Sequence, residues 1–199
     1  MRIGLIRHGL TDWNAAGRIQ GQTDIPLNGE GREQAERLGR RLLTEEYQWD
    51  YIITSGLSRA QETGEIISKL LNVPLLKPDA RLKERAFGQI EGLTSEERVA
   101  RWGQAWETLD LGQEQIADIQ IRALAFLEDL WSAYSDQNVL IVTHGAFLAN
   151  LLTALFKDRY TERIGNLSLT ILEKERDDWS PLLYNCTRHL SLDTAKQPE

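Results

Sequence analysis

Apolar residues along the chain fall into two alternating kinds of run. Short runs that stop abruptly at polar or glycine positions read as strands, at residues 2–6, 51–54, 73–76 and 138–143, the last containing Val139-Leu140-Ile141-Val142. Longer stretches repeat apolar residues every three or four positions and read as helices. One spans 29–45 with Ala35, Leu38 and Leu42, and a second runs from Ser58 through Ile66, Ile67, Leu70 and Leu71. A third carries Ile116, Ile119, Ala123, Phe126 and Leu130, and a fourth covers 146–156. Runs at 167–173 and 181–185 read as closing strands. This βαβα alternation predicts an α/β fold, a three-layer α/β/α sandwich around a mostly parallel central sheet, as one domain over 1–199.

Two segments interrupt the alternation. Residues 10–28 carry Asn14, Gly17, Gly21, Pro26 and Asn28 and read as a long loop, a length that in a compact domain points to function. Residues 79–111, with Gly88 and Gly92 and then Trp102 and Trp106, read as a lid-like excursion. The two tryptophans have two readings, core packing or an apolar wall for the organic part of a substrate. Ser58 followed by Gln61 has the spacing of a capping box. The end of the chain, about 193–199, reads as a flexible tail.

Composition narrows the function. With 23 Lys+Arg against 30 Asp+Glu the net charge is -7, which disfavours nucleic acid as a partner. No apolar run approaches the roughly 18 residues of a membrane span. A single cysteine, Cys186, excludes an intrachain disulfide and a multi-cysteine metal site, and suggests a reducing, cytoplasmic location. Yet 17 of the 23 basic residues are arginine, the residue of planar oxyanion recognition. Residues 1–60 hold eight Arg and eight Asp/Glu, so the negative excess lies beyond them. A local site for one anionic group is compatible with the overall charge.

The candidate chemistry sits at strand ends. The first strand runs into Arg7-His8-Gly9 and the 138–143 strand into Thr143-His144-Gly145. In open α/β sheets ligands bind beyond the carboxyl ends of the strands, so two histidines so placed face one crevice if their strands are neighbours. The 51–54 strand ends towards the same side, and Ser55-Gly56-Leu57-Ser58-Arg59 then brings Arg59 near a helix N-terminus, which favours an anion. The third histidine, His189, lies near the tail and receives no role.

These residues carry a resemblance. Arg7-His8-Gly9-Leu10-Thr11-Asp12-Trp13-Asn14 followed by Gly17-Arg18-Ile19-Gln20-Gly21 resembles the signature of the histidine phosphatase superfamily, in its phosphoglycerate-mutase-like branch. Pro26-Leu27-Asn28-Gly29-Glu30-Gly31, Ser55 through Thr63, Leu82-Lys83-Glu84 with Gly88 and Glu91-Gly92, and Val142-Thr143-His144-Gly145 resemble its further blocks, in family order. The resemblance implies a metal-independent phosphomonoester phosphatase with no cofactor, acting on a small phosphorylated metabolite. It implies His8 as nucleophile, forming a phosphohistidine, with Glu84 as general acid and base. Arg7, Arg59 and His144 would surround the phosphoryl oxygens, and Asn14, Gln20, Gly21 and Gly145 would add phosphate contacts. Glu91 reads as a structural acid. One departure is Leu10, where many members carry a glutamate; this weakens the alternative of a 2,3-bisphosphoglycerate-dependent phosphoglycerate mutase. A non-catalytic phospho-ligand-binding module and a metallohydrolase built on the two histidines are the remaining alternatives. No His-Glu-x-x-His spacing supports the last of these.

Overall fold

Nearly all the strand-like runs enter one five-stranded sheet. In the computed structural model, which describes residues 1–176 and 178–191, the strands are β1 (Arg2–Arg7), β2 (Tyr51–Thr54), β3 (Val139–Thr143), β4 (Leu169–Glu175) and β5 (Asp178–Cys186). Their order is β2-β3-β1-β4-β5. β1 and β2 both pair parallel to β3, with Arg7 opposite Thr143 and Thr54 opposite Val142, so three carboxyl ends lie side by side. β4 runs antiparallel to β1, and β5 antiparallel to β4. The sheet therefore has a parallel core and an antiparallel edge, and the expected α/β sandwich is what the chain forms. The expected flexible tail at 193–199 lies outside the described residues.

Side-chain alternation assigns the layers. Ile3 and Leu5 of β1 and Val139 and Ile141 of β3 pack on one face, with Ile119, Ala123 and Phe126 of α5 (Ile116–Tyr134) and Phe147 and Leu151 of α6 (Gly145–Phe156). Ile6, Leu140 and Val142 point to the other face. They meet Ala35, Leu38 and Leu42 of α2 (Gly29–Leu42) and Ala60 and Ile67 of α3 (Ser58–Leu71). β3 is buried along its whole length because helices cover both its faces. Each fully buried Leu or Ile contributes about 1.5–3 kcal/mol. No helix among the described residues is long and apolar enough to cross a membrane.

Several local expectations change. The run at 73–76 forms one parallel bridge, Ile52 with Leu75, rather than a strand, because Pro74 has no N–H to donate to a ladder. The 10–28 segment contains a short helix, α1 (Asp12–Ala15), whose first turn is capped by Thr11 accepting the Asn14 N–H. Ser58 does not begin a capping box. The backbone N–H and Oγ of Ser58 both donate to Asp24, at 2.7 Å each, so a carboxylate from the 10–28 segment caps α3 from outside. Gln61 instead accepts from Thr54 and donates to Glu65. The capping box lies at Thr94 and Glu97, at the start of α4 (Ser95–Trp102) in the excursion. His189 is half-buried rather than exposed, with Arg41 Nη1 3.2 Å from its Nδ1; burial and that guanidinium push its pKa down to about 4.

The start of α2 is pressed against the turn that follows β1. A Cβ on Gly31 would lie 2.1 Å from the Leu10 carbonyl oxygen. Gly31→Ala must therefore displace the 8–10 turn, and we expect a loss of about 1–3 kcal/mol in urea unfolding together with reduced turnover. An unchanged unfolding midpoint would show that the turn yields freely.

Candidate active site

The three adjacent strand ends deliver the site. β1 ends at Arg7 and is followed by His8, and β3 ends at Thr143 and is followed by His144, the N-cap of α6. β2 leads through Ser55 to Arg59 in the first turn of α3. Arg7, His8, Arg59, Glu84 and His144 are all buried, His8 at 2% and Arg59 at 0% exposure.

His8 is held in one tautomer. Its Nδ1 lies 2.7 Å from the Gly9 carbonyl oxygen, an acceptor only, so Nδ1 carries the proton and Nε2 keeps its lone pair. Arg59 Nε–H points at that lone pair from 3.3 Å. Burial, and then the charges of Arg7 and Arg59, hold the His8 pKa well below the usual imidazole value. His144 is shifted the same way, by burial first and then by His8, Arg59 and Arg7. The two rings lie 5.1 Å apart, tilted by 57°.

The cationic groups are anchored but not saturated. Arg59 donates from Nη1 to the Thr23 carbonyl at 2.9 Å and from Nη2 to the Gly21 carbonyl at 2.7 Å. Arg7 donates from Nη1 to the Ile164 carbonyl at 2.7 Å, while its Nε is buried without a partner. Burial lowers the Arg7 pKa to about 10, and it stays charged at neutral pH. His144 Nδ1 is likewise buried without a partner. An unmet buried polar group costs about 1–3 kcal/mol, so an unpartnered guanidinium N–H and an unpartnered imidazole nitrogen beside His8 mark the place of a polar ligand.

Two amides add donors. Gln20 Oε1 accepts from Thr11 Oγ at 3.0 Å, and Asn14 Oδ1 accepts from Asn166 Nδ2 at 3.1 Å. With their oxygens so occupied, both amides have their NH₂ groups left to donate, and both residues line the crevice. Gly21 has φ +55, and a Cβ there would sit 2.0 Å from Glu91 Oε1. Glu91 is a brace, accepting from the backbone N–H of Gln22, Thr23 and Phe87 at 3.1, 3.0 and 2.9 Å. It ties the 20–24 segment that carries Gly21 to the excursion.

Glu84 occupies the N-terminus of α6. Its Oε1 accepts from the Phe147 and Arg85 N–H groups at 2.9 Å each, and its Oε2 from the Ala146 N–H at 3.1 Å. Behind it, Arg122 of α5 donates to the carbonyls of Arg81, Lys83 and Glu84 and is paired with Glu114 at 2.7 Å. The carboxylate is thus set rigidly on the side of the excursion.

The crevice holds about 380 Å³, enough for a phosphoryl group and a small organic body. Of the expected residues, Arg7, His8, Asn14, Gln20, Gly21, Arg59, Glu84 and Gly145 line it, and His144 lies fully buried beside His8. Trp102 and Trp106 belong neither to its lining nor to the core. Each is half-buried under an arginine, Trp102 with Arg101 at 4.9 Å and Trp106 with Arg98 at 4.7 Å. The excursion's aromatic contribution to the crevice is Phe87. Asn166, which also donates to the His8 carbonyl at 3.0 Å, and Arg122 carry no signal in the local sequence; they act through long-range contacts.

Comparisons with known sequences and structures identify the family. The chain matches the histidine phosphatase superfamily (branch 1) over residues 3–187 and belongs to that family. Among relatives it is 37% identical over 192 residues to an uncharacterized phosphatase, PhoE, of Bacillus subtilis, covering 95% of this chain and 96% of that one. It is 31% identical to a metal-independent phosphoserine phosphatase of Arabidopsis thaliana (95% and 83% covered), and 33% identical to a probable phosphoglycerate mutase, GpmB, of Photorhabdus laumondii (90% and 87% covered). Among solved structures, Bacillus stearothermophilus YhfR superposes with a TM-score of 0.85 at 32% identity, covering 95% of this chain and 98% of that one. A mycobacterial glucosyl-3-phosphoglycerate phosphatase complexed with VO3 gives 0.82 at 28% identity, with 92% and 98% covered.

The buried histidines also make stability depend on pH. The unfolded chain takes up protons near pH 6.5, whereas folded His8 and His144 do so only at much lower pH. Between those values the unfolded state binds more protons, so stability falls as pH falls. We expect urea unfolding to give a free energy lower at pH 5 than at pH 7 by about 1 kcal/mol or more. Equal values at the two pH would contradict the neutral state of these rings.

Proposed function

We propose that the protein is a phosphomonoester phosphatase that passes the phosphoryl group through His8. Nε2 of neutral His8 attacks phosphorus in line as the P–O bond to the leaving group breaks, forming a phosphohistidine. Glu84 gives its proton to the leaving oxygen. It then takes a proton from the water that attacks the phosphohistidine, and inorganic phosphate leaves with His8 restored. Arg7, Arg59 and His144 bind the phosphoryl oxygens, with Asn14, Gln20 and the backbone at Gly21 and Gly145 completing the shell. The observation that carries this reading is the pair of unpartnered buried nitrogens, Arg7 Nε and His144 Nδ1, beside an imidazole whose Nε2 is unprotonated.

The residues at 79–111 wall the leaving-group side, through Glu84 and Phe87. The reading is of a cytoplasmic enzyme acting on small phosphorylated metabolites. The names of the phosphoserine and glucosyl-3-phosphoglycerate phosphatases support that substrate class. Among the described residues no three His, Cys, Asp or Glu side chains gather as a metal site. The mutase reading rests on the 33% identity to a probable mutase. Against it, Leu10 places no acid beside the site.

A phosphate-release screen over phosphoserine, sugar phosphates, phosphoglycerates, nucleotides and phosphopeptides, with and without chelator, tests the proposal. Release that is undiminished by chelator is expected. If 3-phosphoglycerate with 2,3-bisphosphoglycerate is isomerised faster than it is hydrolysed, the protein is a mutase. Tight phosphate binding without turnover of any substrate would make it a binding module.

A further inference from the structure

The buried Nδ1 of His144 can help a phosphoryl oxygen only if it carries a proton. A neutral imidazole has one N–H, and the ring must be told on which nitrogen to place it. On its far side, His144 Nε2 lies 2.7 Å from Ser55 Oγ, and both groups are buried. Ser55 Oγ already accepts the backbone N–H of Leu57 at 3.3 Å. A hydroxyl has one proton, and with an N–H donor arriving at its oxygen that proton is free to go to Nε2. Nε2 then serves as acceptor and Nδ1 is the protonated nitrogen, facing the place where its partner is missing.

We infer that Ser55 is a positioning residue for phosphoryl transfer: its hydroxyl sets the tautomer of His144 so that Nδ1–H is presented to a phosphoryl oxygen. The turn makes this possible. β2 ends at Thr54 opposite Val142, so Ser55 follows one step short of His144 in register and its hydroxyl reaches the His144 ring. Leu57 is the N-cap of α3, so its N–H precedes the helix and is free to fix the hydroxyl oxygen. Without Ser55, nothing at Nε2 opposes a switch of the proton to that nitrogen. Nδ1 would then turn a lone pair towards the phosphoryl oxygens, replacing an attraction with a repulsion.

The inference rests on the phosphohistidine reading for its catalytic consequence, but its first test does not. Nitrogen-15 NMR of the ligand-free wild-type protein at neutral pH should show His144 protonated at Nδ1 and not at Nε2. Protonation at Nε2, or at both nitrogens, overturns the inference whatever the enzyme turns over. For the second test, Ser55→Ala should lower kcat/KM by about 10²–10³-fold, the usual cost of losing one preorganised oxyanion donor. It should also weaken vanadate binding and move the His144 proton to Nε2. Ser55→Thr keeps the hydroxyl and should restore most of the activity and the Nδ1 proton. An alanine variant with unchanged vanadate affinity, or a threonine variant no better than alanine, overturns it. If alanine prevents folding, the wild-type spectrum and the threonine variant still decide.

Discussion

His8→Ala is expected to abolish phosphate release, with kcat falling by at least about 10⁴-fold, the scale on which removing the proposed nucleophile acts. The expected loss is chemical rather than structural. His8 sits at the end of β1, outside the ladder that pairs Ile3 to Ile6 with β3 and β4, and its ring contributes to neither apolar core cluster. Arg7 keeps its bond to Ile164, and Arg59 keeps its bonds to Gly21 and Thr23. Inorganic phosphate should therefore still bind within about 10-fold of the wild-type affinity, because charge-assisted bonds from the two arginines remain. Calorimetry on the variant measures that affinity, and rapid quenching of the wild type with a radiolabelled substrate measures the covalent intermediate. A label bound to histidine in the wild type and absent from the variant is the expected pair of results. A variant that retains a few per cent of turnover would require another nucleophile. The other buried imidazole, His144, has its Nε2 engaged with Ser55 Oγ at 2.7 Å.

What was legible in the sequence, and what was not, follows from the range of the interactions involved. The paired endings Arg7-His8-Gly9 and Thr143-His144-Gly145 are local, and a parallel sheet turns equal positions at strand ends into neighbours. The layer arrangement was legible for the same reason, since alternation along β1 and β3 divides their side chains between two faces. Ser58 misled because its capping-box spacing is a local pattern. The helix start is satisfied instead by Asp24, from a segment whose path no local pattern states. The strand-like run at 73–76 failed on a single missing donor at Pro74. Trp102 and Trp106 sit under guanidiniums outside the core, which hydrophobicity alone does not distinguish from burial. Asn166 and Arg122 hold the site through carbonyl groups of remote segments. Their partners become visible only when the chain is folded.

Glu84→Gln separates the two duties that the geometry gives this side chain. As an acceptor it caps α6, taking N–H groups from Ala146 and Phe147. As the proposed acid it would serve the leaving group from the crevice wall. Glutamine keeps one carbonyl oxygen for the cap but puts an NH₂ where the second oxygen was, and it can neither donate nor take up the catalytic proton. With an alkyl phosphate, whose leaving oxygen must be protonated, we expect kcat to fall by about 10²–10⁴-fold. With p-nitrophenyl phosphate the leaving group departs as a stable anion, so phosphorylation of His8 needs little help from the acid. Attack by water on the phosphohistidine still lacks its base. The variant should then release a burst of nitrophenol equal to the number of active sites, followed by slow turnover, and the phosphoenzyme should accumulate. A side chain that merely capped α6 would behave otherwise. Its loss would depress both substrates alike, lower the unfolding midpoint and give no burst. Equal losses for the two leaving groups would thus assign Glu84 to the helix alone, and the proton would have to come from elsewhere on the 79–111 wall.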